Sequence, residues 1–179
     1  MNARFDRIPS FAPGKDGYVH AVIETPAGTR HKYAFDPHYG VMKLKSTLAE
    51  GLAWPYDYGF VPHTIGGDGD PVDILVLNDA PTFSGCLIET RILGGILLLK
   101  NGEENDRLVA APPRRKGVSL KTDAYDDLGD IPDALLDGLK DFLVQYSQEQ
   151  GNEIAIKDVC SRKKALKVID KAGKAYERR

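Results

Sequence analysis

Asp68, Asp70 and Asp73 fall within the hexapeptide Asp68-Gly69-Asp70-Pro71-Val72-Asp73, which runs directly into the apolar segment Ile74-Leu75-Val76-Leu77. Like charges this close repel one another, and each is costly to bury unless a cation or hydrogen-bond donors offset it. A loop that keeps three carboxylates beside a buried strand is suited to holding a divalent ion. Oxygen-only ligands favour Mg²⁺, Mn²⁺ or Ca²⁺ over zinc. Asp-Gly and Asp-Pro are also turn-forming pairs, so a purely structural turn is the competing reading of these six residues.

The elements that must position this loop are strands first and helices later. Residues 18–24 and 32–36 alternate and are separated by Pro26-Ala27-Gly28, which predicts a hairpin between them. Further strands are expected at 41–44, 73–77, 86–93, 96–99 and 107–110. So many short strands predict a mainly β fold: a small closed or partly closed barrel with C-terminal helices packed against it. Asp130 is placed to cap a helix in which Ile131, Leu135, Leu139, Phe142, Leu143 and Tyr146 recur at helical spacing. Pro132 is tolerated in its first turn. A second helix is expected from about Ser161, with Ala165, Leu166, Ile169, Ala172 and Tyr176 as one apolar stripe and its basic residues solvated.

Composition narrows the function. The chain has 179 residues, 42% hydrophobic and 28% charged, as expected of one globular domain over 1–179. A formal charge of -2 gives no electrostatic footprint for nucleic acid, so any anionic ligand must be met by a local basic cluster. Cys86 and Cys160 lack metal-ligand spacing and read as free thiols, which fits a reducing cytosol. The N-terminal segment has no apolar stretch of the secretory kind, and no apolar run is long enough to span a bilayer. A cytoplasmic protein without membrane attachment is expected.

Trp54-Pro55-Tyr56-Asp57-Tyr58-Gly59-Phe60-Val61-Pro62-His63-Thr64, followed by the acid hexapeptide and its strand, resembles the central signature of the soluble family I inorganic pyrophosphatases. The likeness continues through Pro81, Gly85 and Cys86 to Arg107-Leu108-Val109-Ala110-Ala111-Pro112, and more weakly into the first C-terminal helix. It implies a barrel of the oligonucleotide/oligosaccharide-binding type and a cytoplasmic Mg²⁺ enzyme, with Mn²⁺ as a possible substitute. It also implies a homo-oligomer, usually a hexamer in bacteria. The substrate would be inorganic pyrophosphate, whose charge repels an attacking hydroxide until metals and cationic side chains neutralise the phosphoryl oxygens.

The resemblance assigns roles one residue at a time. Asp68, Asp70 and Asp73 match metal ligands, and Asp70 also matches the carboxylate that takes the proton of the nucleophilic water. Lys32, Tyr58, Arg107 and Tyr146 match phosphate-binding positions. Arginine at 107 stands for the usual lysine, keeping the charge and adding bidentate donor geometry. Glu24 matches an acid at the cavity edge. Pro71 interrupts strand pairing, which would let all three aspartates converge despite strand alternation.

Several positions depart from the family. Counting back from Arg107 without gaps puts Lys100 and Asn105 where two metal-binding aspartates are usual. Ser46 falls at an arginine position, with Lys45 beside it. Ala34 replaces a glutamate, Trp54 a frequent tyrosine and Ser147 a lysine. Charges of both signs are lost together, which is consistent with fewer bound metals. It also fits an alternative function, a catalytically weakened relative that binds or hydrolyses another phosphorylated small molecule.

Overall fold

Strand residues alternate between two apolar clusters. Leu75, Leu77 and Val109 pack in one, together with Trp54, Leu139 and Phe142. Their neighbours Ile74, Val76, Leu108 and Ala110 pack in the other, with Ala165, Ile169 and Ala172. This period of two is what a strand wall covered on both faces requires. The structure is a computed structural model describing residues 5–178; the first four residues of the N-terminal segment and Arg179 lie outside them.

In chain order the elements are β1 (Tyr18–Thr25), β2 (His31–Asp36), β3 (Val41–Thr47), β4 (Asp57–Phe60), β5 (Asp73–Val76), β6 (Leu87–Lys100), β7 (Glu103–Glu104), β8 (Arg107–Ala111), α1 (Asp133–Glu149), β9 (Ile154–Ser161) and α2 (Arg162–Tyr176). The path β1-β4-β5-β8-β6 returns to β1 through a β1–β6 pairing, closing a small barrel, and β9 extends it by pairing with β6. The mainly β barrel with C-terminal helices is therefore the fold. Pairing is antiparallel except between β5 and β8, which run parallel with Asp73 opposite Arg107.

Some expected elements are corrected. β2 pairs with β3 instead of forming a hairpin with β1. Side chains at the end of β1 take over part of the bonding between the two: Glu24 Oε1 accepts from Phe35 N at 2.7 Å, and Thr25 Oγ1 from Tyr33 N at 3.0 Å. The strands expected at 86–93 and 96–99 are one strand, β6, with a register irregularity at Ile92/Gly94. Gly94 serves close packing there, since a Cβ would lie 2.3 Å from Cys160 O. Asp130 does not cap α1. Its carboxylate accepts from Asp126 N and Asp127 N, closing a short 3₁₀ turn, and α1 begins after Pro132.

Candidate active site

Parity places the functional side chains. Counting by two from Leu75 to Asp73 and from Val109 to Arg107 puts both on the face that carries Trp54 and Tyr58, and Glu24 lies opposite in sense to Ile23 of the other cluster. Asp73 and Arg107 each open their strands as direct partners, and Arg107 Nη1 sits 2.5 Å from Asp73 Oδ2. Tyr58 of the neighbouring β4 brings its hydroxyl close to the Asp73 carboxylate. Lys32 reaches in from β2, with Nζ 3.9 Å from the centre of the Tyr58 ring and 3.3 Å from Glu24 Oε2. Trp54 completes the wall, its ring 4.6 Å from Tyr58 and 4.9 Å from Tyr146 of α1. The sequence-predicted Glu24, Lys32, Tyr58, Asp73, Arg107 and Tyr146 thus meet at one end of the barrel.

Burial sets the electrostatics. It lowers the pKa of Lys32 and raises that of Glu24, while their mutual attraction opposes both shifts. Burial pushes Tyr58 well above its ordinary value and Tyr146 up to about 12, so both hydroxyls stay protonated donors at neutral pH. For Arg107 the cost of burial is outweighed by Asp73, Tyr58 and Asp68, which hold the guanidinium above its usual value.

The loop before β5 is a compact turn. Gly66 N donates to Asp70 O at 2.7 Å, Asp70 N donates to Asp68 Oδ1 at 3.1 Å, and Gly69 takes a positive φ of 85° that favours glycine. Asp68 and Asp70 precede the strand, so strand alternation does not govern them, contrary to the argument from Pro71. Both are exposed and Asp73 is half-buried. Among the described residues no three acidic, histidine or cysteine side chains are gathered closely enough to hold a metal. Asp68 Oδ2 is hydrogen-bonded by the Asn105 amide, and Asp73 is paired with Arg107. The donor chemistry still fits a hard divalent cation, because Asp68, Asp73, Glu104 and Asp106 offer oxygen donors to a cavity of about 250 Å³ that Asn105 and Arg107 also line, whereas the exposed Asp70 does not line it.

The departures are placed as follows. Asn105 lies in this cavity and Lys100 does not line it; Lys100 pairs in the ladder with Glu103 and Ile154. Ser46 faces Lys32 across β2 and β3, and the register slip there leaves Lys45 as the extra, exposed residue. Asp57 is fully buried and accepts from Ala27 N, Asn78 Nδ2 and Thr82 N, which makes it a structural acid. The bonding role of Asn105 escaped the sequence reading, because two acceptors and a donor converge on it from three separate segments.

Residues 21–177 match the sequence pattern of the inorganic pyrophosphatase family. The chain belongs to the inorganic pyrophosphatase family. It is 34% identical over 162 residues to the inorganic pyrophosphatase of Halalkalibacterium halodurans, covering 89% of this chain and 95% of that one. The same identity relates it to the enzyme of Geobacillus stearothermophilus over 158 residues, 88% of this chain and 93% of that one. The crystal structure of the Thermus thermophilus inorganic pyrophosphatase superposes with a TM-score of 0.87 at 28% identity, covering 98% of this chain and 99% of the other. The Helicobacter pylori enzyme gives 0.83 at 30% identity, covering 91% and 95%. No helix among the described residues is long and apolar enough to cross a membrane.

Proposed function

We propose that this protein hydrolyses inorganic pyrophosphate to two phosphates in one in-line displacement by water, without a covalent intermediate, and that it requires Mg²⁺, with Mn²⁺ as a substitute. The observation that carries the reading is the cluster of Lys32, Arg107, Tyr58 and Tyr146 beside Asp73 at the mouth of the acid loop. Two cations and two protonated phenols are the donors that a small polyanion needs. Partial burial strengthens each of these interactions relative to water.

In this reading Lys32 and Arg107 bind phosphoryl oxygens and offset their charge, with Arg107 offering a bidentate grip. Tyr58 and Tyr146 donate from rings packed against Trp54, so their hydroxyls are held in place. Asp68, Asp70 and Asp73 are the residues that would hold the divalent ion. A divalent ion held by them would supply Lewis-acid charge, which favours ionisation of water and offsets the charge of the phosphoryl oxygens. Asp70 accepts the proton of the attacking water. Glu24 keeps Lys32 charged.

The family match disfavours the alternative of a weakened protein acting on another phosphorylated small molecule. The whole chain is proposed to act as one domain in the cytoplasm, as a homo-oligomer with a hexamer favoured, and without nucleic-acid or membrane partners. The test is phosphate release from pyrophosphate with Mg²⁺, with Mn²⁺ and after chelation. Release with Mg²⁺ that stops on chelation supports the proposal; no release with either ion overturns it.

A further inference from the structure

We propose that Asn105 is a positioning residue that sets the Arg107 guanidinium for phosphate and ties it to the acid loop, an inference that rests on the pyrophosphate reading above. Asn105 lies two residues before Arg107, which opens β8, and is only 7% exposed. Its backbone is fixed by Asn105 N donating to Leu98 O at 3.0 Å. Three of its polar atoms then serve the site. Its main-chain O accepts from Arg107 Nη1 at 2.9 Å, its side-chain Oδ1 accepts from Arg107 Nη2, and its Nδ2 donates to Asp68 Oδ2.

The two acceptors grip the end of the guanidinium that carries both terminal nitrogens, and Asp73 and Asp106 O add to the hold on Nη1. That arrangement leaves the edge formed by Nε–H and the second Nη2 hydrogen for a side-on, bidentate contact with phosphate. An arginine side chain has many rotamers, so one that is held at its far end loses less freedom on binding.

The amide is chemically matched to this place. A donor is needed toward Asp68 and an acceptor toward Arg107, and the flipped amide would set NH₂ against the guanidinium and oxygen against the carboxylate. A carboxylate at this position would satisfy Arg107 but repel Asp68. It would also neutralise part of the charge that Arg107 offers to substrate. The asparagine that departs from the family pattern therefore has a role of its own and is more than a lost metal ligand.

The experiment is a double-mutant cycle with Asn105→Ala, Arg107→Lys and the combination. Binding of inorganic phosphate is measured by calorimetry, with chelator and again with saturating Mg²⁺, alongside kcat and KM for pyrophosphate. Asn105→Ala is expected to weaken phosphate binding and raise KM about tenfold, with a smaller effect on kcat, as for loss of one well-placed charged hydrogen bond. In the Arg107→Lys background the same change is expected to cost less than about twofold, because the group that it positions is gone. Equal costs in the two backgrounds, or a loss confined to kcat, overturn the proposal. If Asn105→Ala does not fold, Asn105→Ser takes its place in the cycle with the same two outcomes. A parent protein that binds phosphate without hydrolysing pyrophosphate refutes the functional reading, and the cycle on phosphate binding still decides the role of Asn105.

Discussion

Lys32 and Glu24 form an ion pair, Nζ to Oε2 at 3.3 Å, in which only 11% of either side chain is exposed. Burial disfavours both charges, and each partner restores part of what burial takes from the other. Since Glu24 raises the pKa of Lys32, Glu24→Gln is expected to lower it further. The alkaline rise in KM for pyrophosphate should therefore begin at a lower pH in the variant than in the parent. A KM profile with an unmoved alkaline limb would show that Glu24 does not tune Lys32.

The same pair affects stability with a definite sign. Glu24 has a raised pKa in the fold, so its contribution is complete below the carboxylate range of the unfolded chain and is lost as pH rises through its folded value. Lys32 has a lowered pKa. Between its folded and unfolded values the unfolded chain holds the extra proton, and stability rises with pH. Melting temperatures of Glu24→Gln measured from acid to neutral pH should fall less than those of the parent over the Glu24 window.

Asp70→Asn is expected to leave the fold intact and to remove most pyrophosphate hydrolysis. The turn uses the main-chain N and O of Asp70, which the substitution keeps, and its side chain is exposed. An amide cannot accept the proton of the nucleophile, a loss worth about 10² to 10⁴ in rate. Parent-like turnover in the purified variant would remove Asp70 from the proposed role.

Lys32→Ala and Arg107→Ala should each impair pyrophosphate binding or turnover far more than Lys167→Ala, which alters an exposed lysine on α2. The first two also differ from each other. Arg107→Ala leaves Asp73 and Asn105 without their guanidinium partner, so its melting temperature should drop as well. Comparable kinetics for all three variants would mean that surface charge has been mistaken for a site.

Gly59→Ala tests the barrel that supports Tyr58. A Cβ at Gly59 would lie 1.9 Å from Val22 O and 2.8 Å from Ile23 Cα, and backbone atoms of a paired strand cannot yield as a flexible side chain would. Destabilisation of about 1–3 kcal/mol or more is expected in denaturant unfolding. A variant as stable as the parent would mean that β1 and β4 are less closely packed than described.

Much of this was legible because it rests on local signals. The acid loop, Lys32 alternating with Tyr33 and Phe35, and the apolar stripe of α2 follow from spacing alone. β4 was missed because it is only four residues long and carries Asp57 and Gly59, residue types that are depleted in strands. β9 was missed because its alternation breaks at Lys157-Asp158, where a register slip relative to β6 inserts an extra residue. Gly94-Gly95 read as a break although close packing, a tertiary fact, required the glycine at 94. In the site, the positions of Lys32, Tyr58 and Arg107 were recoverable by resemblance. The Asp68–Asn105–Arg107–Asp73 connection was not, since it joins the loop before β5 to the start of β8.

That connection changes what is expected of the two positions that depart from the family's aspartates. Lys100 lies outside the lining of the cavity, so Lys100→Asp should leave Mg²⁺ dependence unaltered. Asn105→Asp places a second carboxylate against Asp68, where the amide had donated a hydrogen bond. Repulsion between the two acids should lower the melting temperature when metal is chelated, and a divalent ion should offset it, so Mg²⁺ should raise the melting temperature of this variant more than that of the parent. The Mg²⁺ concentration for half-maximal turnover should fall, because a carboxylate is a stronger ligand than an amide oxygen. The checks are melting curves with and without Mg²⁺ and a Mg²⁺ titration of pyrophosphate hydrolysis. If Asn105→Asp leaves both unchanged while Lys100→Asp shifts either, the metal is held nearer to β6 than to the start of β8, and the assignment of Asp68 to its coordination is wrong.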